Sequence, residues 1–464
     1  MSLPQRCLLL VCIFAVYGVI ASPRSAQAEA VTYNKHIAPI LWKNCANCHR
    51  PGEVGPFSLL TYSDAAKRAE FLRDVVKERI MPPWKAEPEF GKFHGARRLS
   101  DDEIAAIDRW VADGAPEGLK TDKTEPPKFS DGWQLGEPDL VLKMPEAFEV
   151  AAETPDIYRC FVIPIPTTED RTVAAVEFRP GNRSVVHHAI FYLDHSGRAR
   201  QKDEADAGLG YTSFGGPGFI PTGGLGGWAP GCDPMFLPDG LGKYLQAGSD
   251  LVMQVHYHAN GKPESDKSQV GIYFTKKPVE HLVTGVSLLN PRLDIPAGAQ
   301  RHESKLSVTL PVDVTAIGVF PHMHLIGREM KVWAETPAGE TVPLVWIKNW
   351  NFNWQDQYTF AEPVRLPKGT QVKLVAYYDN SSDNPSNPNH PPKRVRWGEE
   401  TTDEMCLCTV QVYTDRNEDM QALFKMPHGR IGAALGGGSL PDTALDKLRR
   451  TARRLLKDDE GDDQ

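Results

Sequence analysis

Positive charge is in short supply, and that removes one class of partner at once. The 464 residues carry 60 acidic against 52 basic side chains, a formal net charge of −8, which argues against nucleic acid as a ligand. Long apolar runs are also scarce. One lies within residues 1–28, and no later segment is apolar enough to span a bilayer. The glycine-rich stretch 211–231 has no G-K-[ST], so it is read as a long surface loop and not as a phosphate loop. No second C-x-x-C pair exists to complete a structural zinc site. Cysteine is sparse, at eight residues.

Residues 1–28 read as a secretory signal. Arg6 lies in a short n-region, residues 7–21 form the apolar h-region, and Ala26-Gln27-Ala28 fits small-x-small cleavage. A membrane anchor is the competing reading, for which the run is short. The mature chain is therefore expected to be periplasmic or secreted, without a membrane span. Cleavage would remove Cys7 and Cys12 and leave six cysteines in an oxidising compartment.

Cys45-Ala46-Asn47-Cys48-His49 is the attachment signature of c-type haem. Two thiols add to the haem vinyl groups, and the adjacent histidine ligates the iron. One covalently bound haem c is the implied cofactor. The sixth ligand is expected to be Met81, in Ile80-Met81-Pro82-Pro83-Trp84, where two prolines hold the backbone extended and a thioether raises the potential. Alternatively Met81 is core and His94 or His36 ligates. Residues 29–119 read as a small all-α domain, with helical patterns over 37–42 and 65–80 and a capping box from Ser100 to Glu103.

Residues 120–134 are polar and proline-containing, a linker. Beyond them, short runs rich in Val, Ile, Tyr and Phe alternate with turn residues, as at 184–193, 250–257, 316–320, 372–378 and 406–413. This reads as two antiparallel β-sandwiches, 135–290 and 291–435, joined near 289–296. Residues 436–464 form a charged tail.

Histidines cluster within the strand patterns. His187 and His188 are adjacent, so on a regular strand they face opposite ways and can share a metal only at a bulge or strand end. His256 and His258 are two apart and share a face, as do His322 and His324, which Pro321 and Gly327 put near a strand end. A lone methionine such as Met405 is more often core than ligand. Together, imidazoles plus a thioether in an oxidising compartment suit copper.

In this order, V-H-H, L-x-x-Q-V-H-Y, H-x-H-x-x-G and D-E-M-C resemble the copper type II, ascorbate-dependent monooxygenases, the family of the peptidylglycine α-hydroxylating and dopamine β-monooxygenases, over residues 138–413. The N-terminal part separately resembles cytochrome c domains of the M-P-P-W type. The copper resemblance implies two linked jelly-roll-like β-sandwiches with one copper on each, facing a solvent-filled cleft. It implies one copper held by His187, His188 and His256, which accepts electrons. A second, held by His322, His324 and Met405, would activate oxygen. His258 has no family counterpart and is expected to be a neighbour. The implied reaction is hydroxylation of a C–H bond of a small organic substrate by O2, with electrons from the haem, ascorbate or a redox protein.

The chain also departs from that family. Phe320 stands where the peptidylglycine enzyme has an Arg that clamps a carboxylate, and Leu407 and Thr409 replace polar residues and Tyr after M-C. A less polar substrate is expected. No cysteine lies over 374–380 to pair with Cys406, and Cys160 with Cys232 is the preferred disulfide. A haem–copper electron carrier without oxygenase activity is the alternative function.

Overall fold

The computed structural model describes residues 29–436, apart from residues 54, 130–131, 214, 231 and 399. The expected signal (1–28) and all but the first residue of the expected tail lie outside the described residues. Among the described residues strand outweighs helix, in several sheets and with no closed barrel. No helix among the described residues is long and apolar enough to cross a membrane.

Helices Ala38–Asn44, Tyr62–Ala66, Ala69–Lys77 and Asp101–Ala112 come first. They gather Ile37, Leu41, Leu72, Ile107 and Trp110 into a small core. The last of them opens on the reciprocal capping box of Ser100 and Glu103. The helix expected over 65–80 is two pieces, because Arg68 steps out of helical geometry (φ −126°, ψ 18°). Its guanidinium then donates to the Asp64 carbonyl.

An arm leaves this helical core and joins the strands. Trp84 and Ala86 are buried among strand residues rather than helical ones. Bridges pair Ala86 with Ile347 and Phe93 with Phe360, and the Trp84 ring meets Tyr358 at 5.1 Å. The tryptophan of the M-P-P-W motif thus anchors the helices to the sheets.

The sheets enclose two further cores. In one, Tyr211–Thr212, Ile157–Pro164, Asp250–Tyr257, Val186–Asp194 and Gly223–Trp228 form a five-stranded sheet. Phe161, Phe191, Met253 and Val255 from it pack on Val173, Phe178, Val270 and Ile272 of an eight-stranded sheet. In the other, a four-stranded sheet of His302–Thr309, Gln371–Tyr378, Gly327–Glu335 and Thr341–Ile347 packs Met330, Val332 and Leu374 on Val286, Val319 and Val410. The strand Asp250–Tyr257 is buried at every position, as its near-continuous apolar run and central place require.

The eight-stranded sheet runs through both halves of the strand-rich region. It is continuous because Leu241–Leu245 and His281–Leu289 pair in parallel over two residues. His281–Leu289 otherwise pairs along its length with Leu407–Tyr413, so partners change between Phe274 and His281, before the expected junction near 289–296. The stretch 211–231 is no simple surface loop. It supplies Gly223–Trp228, which pairs with Val186–Asp194. A Cβ at Gly227 would meet the Ala189 carbonyl oxygen at 2.9 Å, an approach only glycine permits.

Candidate functional site

Three imidazoles converge at one end of two adjacent inner strands of the five-stranded sheet. His188 and His256 are direct cross-strand partners, and the ladder register shifts between Val186 and His188. That bulge at His187 turns two adjacent side chains to one side. The Nδ1 atoms of His187, His188 and His256 lie 3.2 Å (187 to 188), 3.1 Å (187 to 256) and 3.3 Å (188 to 256) apart. A point about 2 Å from all three exists between them, the usual metal–imidazole distance. Burial first, then neighbouring histidines, brings His187 down to about 4 and His188 well below its ordinary value. Burial also lowers His256, against the pull of Asp156. All three therefore stay neutral lone-pair donors, which is what a metal requires.

Asp156 supports this cluster. Its Oδ2 is 3.3 Å from His256 Nε2, a close contact short of good hydrogen-bond alignment, and its Oδ1 is 2.7 Å from His258 Nδ1. Burial alone would raise Asp156, but the two facing imidazoles outweigh it and bring it to about 2. An ionised carboxylate behind Nε2 keeps the proton there and leaves Nδ1 free. The Tyr158 ring lies flat on His256 at 4.2 Å. His258 is a neighbour of the cluster, joined to it through Asp156.

His322 closes the strand Val314–His322, and His324 follows in the turn before Gly327. Their rings stand 5.1 Å apart at 82°. His322 Nδ1 donates to Gln355 Oε1 at 2.6 Å, and the Gln355 amide is oriented by its own bond to the Phe352 carbonyl. His324 Nδ1 donates to the Asp403 carbonyl at 3.3 Å. Both Nε2 atoms are left as acceptors. Burial brings His322 to about 4 and His324 to about 3.

Glu404 ties this second group together. Its fully buried carboxylate accepts the backbone N–H groups of His324 and Met405 on Oε2 and of Ile326 and Gly327 on Oε1, at 2.9–3.0 Å. Burial pushes this carboxyl up to about 8 against those four donors. A proton on either oxygen would face an N–H, so the geometry is that of a carboxylate. Tyr378 donates its hydroxyl to the Met405 carbonyl at 2.9 Å.

A cavity of about 680 Å³ joins the two groups, with His188, His322, His324 and Met405 on its wall. Phe352 stands between them, its ring 5.8 Å from His187 and 5.9 Å from His324. Those two steps bound the separation of the clusters. Asp156, Phe352, Gln355 and Glu404 are the residues that motif reading missed. Only Glu404, inside D-E-M-C, carried any signal.

Cys45 and Cys48 are free thiols on the turn after Ala38–Asn44. Burial pushes Cys45 up to about 12 and raises Cys48, so both are protonated thiols at neutral pH. His49 Nδ1 donates to the Phe57 carbonyl at 3.1 Å, which frees Nε2 for an axial bond. A Cβ at Gly55 would strike His49 Nδ1 at 2.7 Å. Phe57 meets the His49 ring at 4.7 Å and the edge of Phe71 at 6.3 Å. Phe71 is 54% exposed, an apolar surface that suits a porphyrin. These residues fit a covalent haem. Met81 is half-buried just ahead of buried Pro82, while His94 is exposed and His36 bonds through Nδ1 to the Thr32 N–H.

Cys48 borders a second cavity of about 730 Å³. Gly226, Gly227, Trp228, Cys232, Gln357 and Gln411 line both cavities and form the wall between them. The expected Cys160–Cys232 disulfide is absent, and both are free thiols. Cys160 is enclosed in Ile157–Pro164, whereas Cys232 donates to Asp356 Oδ1 at 3.2 Å. Cys406 and Cys408 are also free.

No family model matches the chain. Among solved structures, it is similar to a Paenibacillus xanthan lyase at 9% identity, over 63% of this chain and 28% of that one, with a TM-score of 0.15. It is also similar to a two-domain protein of unknown function from Bacteroides fragilis at 10% identity, over 55% and 94%, TM-score 0.15. A likeness to the structure of infectious bursal disease virus, Gt strain, is at 6% identity over 71% and 91%, TM-score 0.14. The chain spans little more than a quarter of the xanthan lyase.

Proposed function

We propose that this chain is an exported copper- and haem-dependent monooxygenase that hydroxylates a C–H bond of an organic substrate, built from a cytochrome c domain and two jelly-roll-like copper sandwiches. One observation carries the reading. Two sets of neutral imidazoles, with Asp156 facing His256 and with Gln355 and the Asp403 carbonyl holding His322 and His324 in their tautomers, border one cavity large enough for a small molecule.

When bound, the copper ions would supply single-electron transfer and oxygen activation, and the haem would supply electrons. Overall, one oxygen atom enters the C–H bond and the other leaves as water, with two electrons and two protons taken up. The chain's own residues prepare this chemistry. Asp156 holds the proton of His256 on Nε2, and Gln355 and the Asp403 carbonyl hold those of His322 and His324 on Nδ1. Glu404 positions the backbone of His324 and Met405 together. Phe352 stands between the two groups, and Gln355 lines the cavity beside His322. The wall at Trp228 separates the Cys48 side from the imidazole cavity by one layer of residues, so the haem would pass electrons to copper within the chain, itself re-reduced by an external donor such as ascorbate or a redox protein.

The test is oxygen uptake coupled to substrate loss by copper-loaded protein, compared with His322→Ala and Met405→Ala. Equal rates in all three would end the oxygenase reading. The thin shared wall would serve an electron carrier as well. Fast haem–copper exchange without oxygen uptake from any C–H donor would favour that alternative.

A further inference from the structure

We infer that the cavity between the imidazole groups takes a neutral, largely apolar organic molecule and rejects charged ones; this rests on reading that cavity as the substrate site. Among its described lining residues there is no Asp, Glu, Lys or Arg. The neighbouring cavity, of nearly the same size, has Glu53, Arg97, Arg183, Asp233 and Asp356 on its wall. Absence of charge is therefore particular to one cavity and not a trait of the interior.

The polar groups that do reach the cavity are mostly engaged. Gln254 donates its amide to the carbonyls of Ser213 and Gly216. Gln411 donates to the Gly436 carbonyl and accepts from Gln357. Gln355 is used by His322 and Phe352, and Thr409 by Ser287. In the metal-free chain a ligand ion would leave water and find no counter-charge, which is the costly case. An alkyl or aryl body would meet Phe320, Trp228 and Leu407.

Two lining residues mark the way in. Ile220 and Ile431 are 55% and 38% exposed yet border the cavity. Large apolar side chains at a rim give an apolar ligand a first contact. Ile431 belongs to Gly429–Gly436, the helix that also brings Leu435 to the wall.

Equilibrium dialysis of the full chain against three isosteres, para-butylbenzamide, para-butylbenzoate and para-butylbenzylammonium, tests the inference in copper-free protein, where no metal cation is present to ligate the benzoate. The amide should bind, with each ion weaker by about a hundredfold or more. An ion bound as tightly as the amide, or no binding of any of the three, would overturn it. Phe320→Arg should reverse the preference toward the benzoate. Should that variant fail to fold, Ile220→Asp, at an exposed position, should keep the melting temperature and weaken the amide by about tenfold; an unchanged affinity would count against the inference. Copper content and an EPR count on the same protein after copper loading keep the two readings apart. Two coppers without charge discrimination would defeat the inference alone. Charge discrimination without copper would defeat the metal reading alone.

Discussion

The two histidine groups are made by different means, and the difference bears on their roles. His187, His188 and His256 sit on adjacent strands of one sheet, with Nδ1 atoms already within 3.1–3.3 Å. The strand ladder itself sets their spacing, and of the three only His188 borders the cavity. His322, His324 and Met405 come from a strand end and a separate turn, and all three border the cavity. What joins His324 to Met405 is a single carboxylate, Glu404. A closed ligand set on a rigid sheet suits a metal that changes charge without changing partners. An open set at a strand end suits one that must take a further ligand.

The strongest way to break this comparison is to remove a ligand of the open group. Met405→Ala or His322→Ala should reduce turnover by more than the roughly 100-fold that loss of a supporting group costs, while electron uptake by the closed group survives. Steady-state oxygen consumption beside stopped-flow reduction reads both. Next comes Glu404→Gln, which sets an NH2 group against backbone N–H donors in a fully buried place. Destabilisation of about 3 kcal/mol is expected, with copper lost from the open group first. Denaturant unfolding and metal analysis check it, and an unchanged midpoint would remove Glu404 from its joining role.

Asp156→Asn should act on the closed group alone, weakening one copper by about 10- to 100-fold and leaving the other unaffected in a competition titration. The smallest expected effect is pH dependence of the metal-free chain. His187 and His322 are held near 4 and His324 near 3, below their ordinary 6.5. The unfolded chain therefore takes up protons first as pH falls. Stability from these groups should be complete above pH 6.5 and drain away between 6.5 and about 3 to 4. A melting temperature that rises on acidification over that window would contradict the assignment.

Much of this was legible in residue order. The strand 250–257 is written in its apolar run, and the capping box at Ser100 in its spacing. The condition for His187 and His188 to share a metal, a bulge, was also legible, though the bulge itself depends on register against His256 and no local pattern encodes it. Long-range partners escaped for the same reason. Asp156 meets His256 across strands, and Phe352 and Gln355 reach the site from a turn with no motif of its own. The arm from Trp84 to Phe93 read as part of the helical unit because it follows Met81 in sequence, yet its hydrophobic partners lie more than 250 positions away at Ile347, Tyr358 and Phe360. Cys160 and Cys232, the preferred disulfide, stand in different surroundings, one within a strand and the other bonded to Asp356.

The most direct test is X-ray absorption of the Cu(I) protein with a metal count. Two coppers per chain, one with a sulfur neighbour that vanishes in Met405→Ala while its imidazole scattering persists, is the result expected. One copper or none, or two with no sulfur scattering at all, would contradict the account.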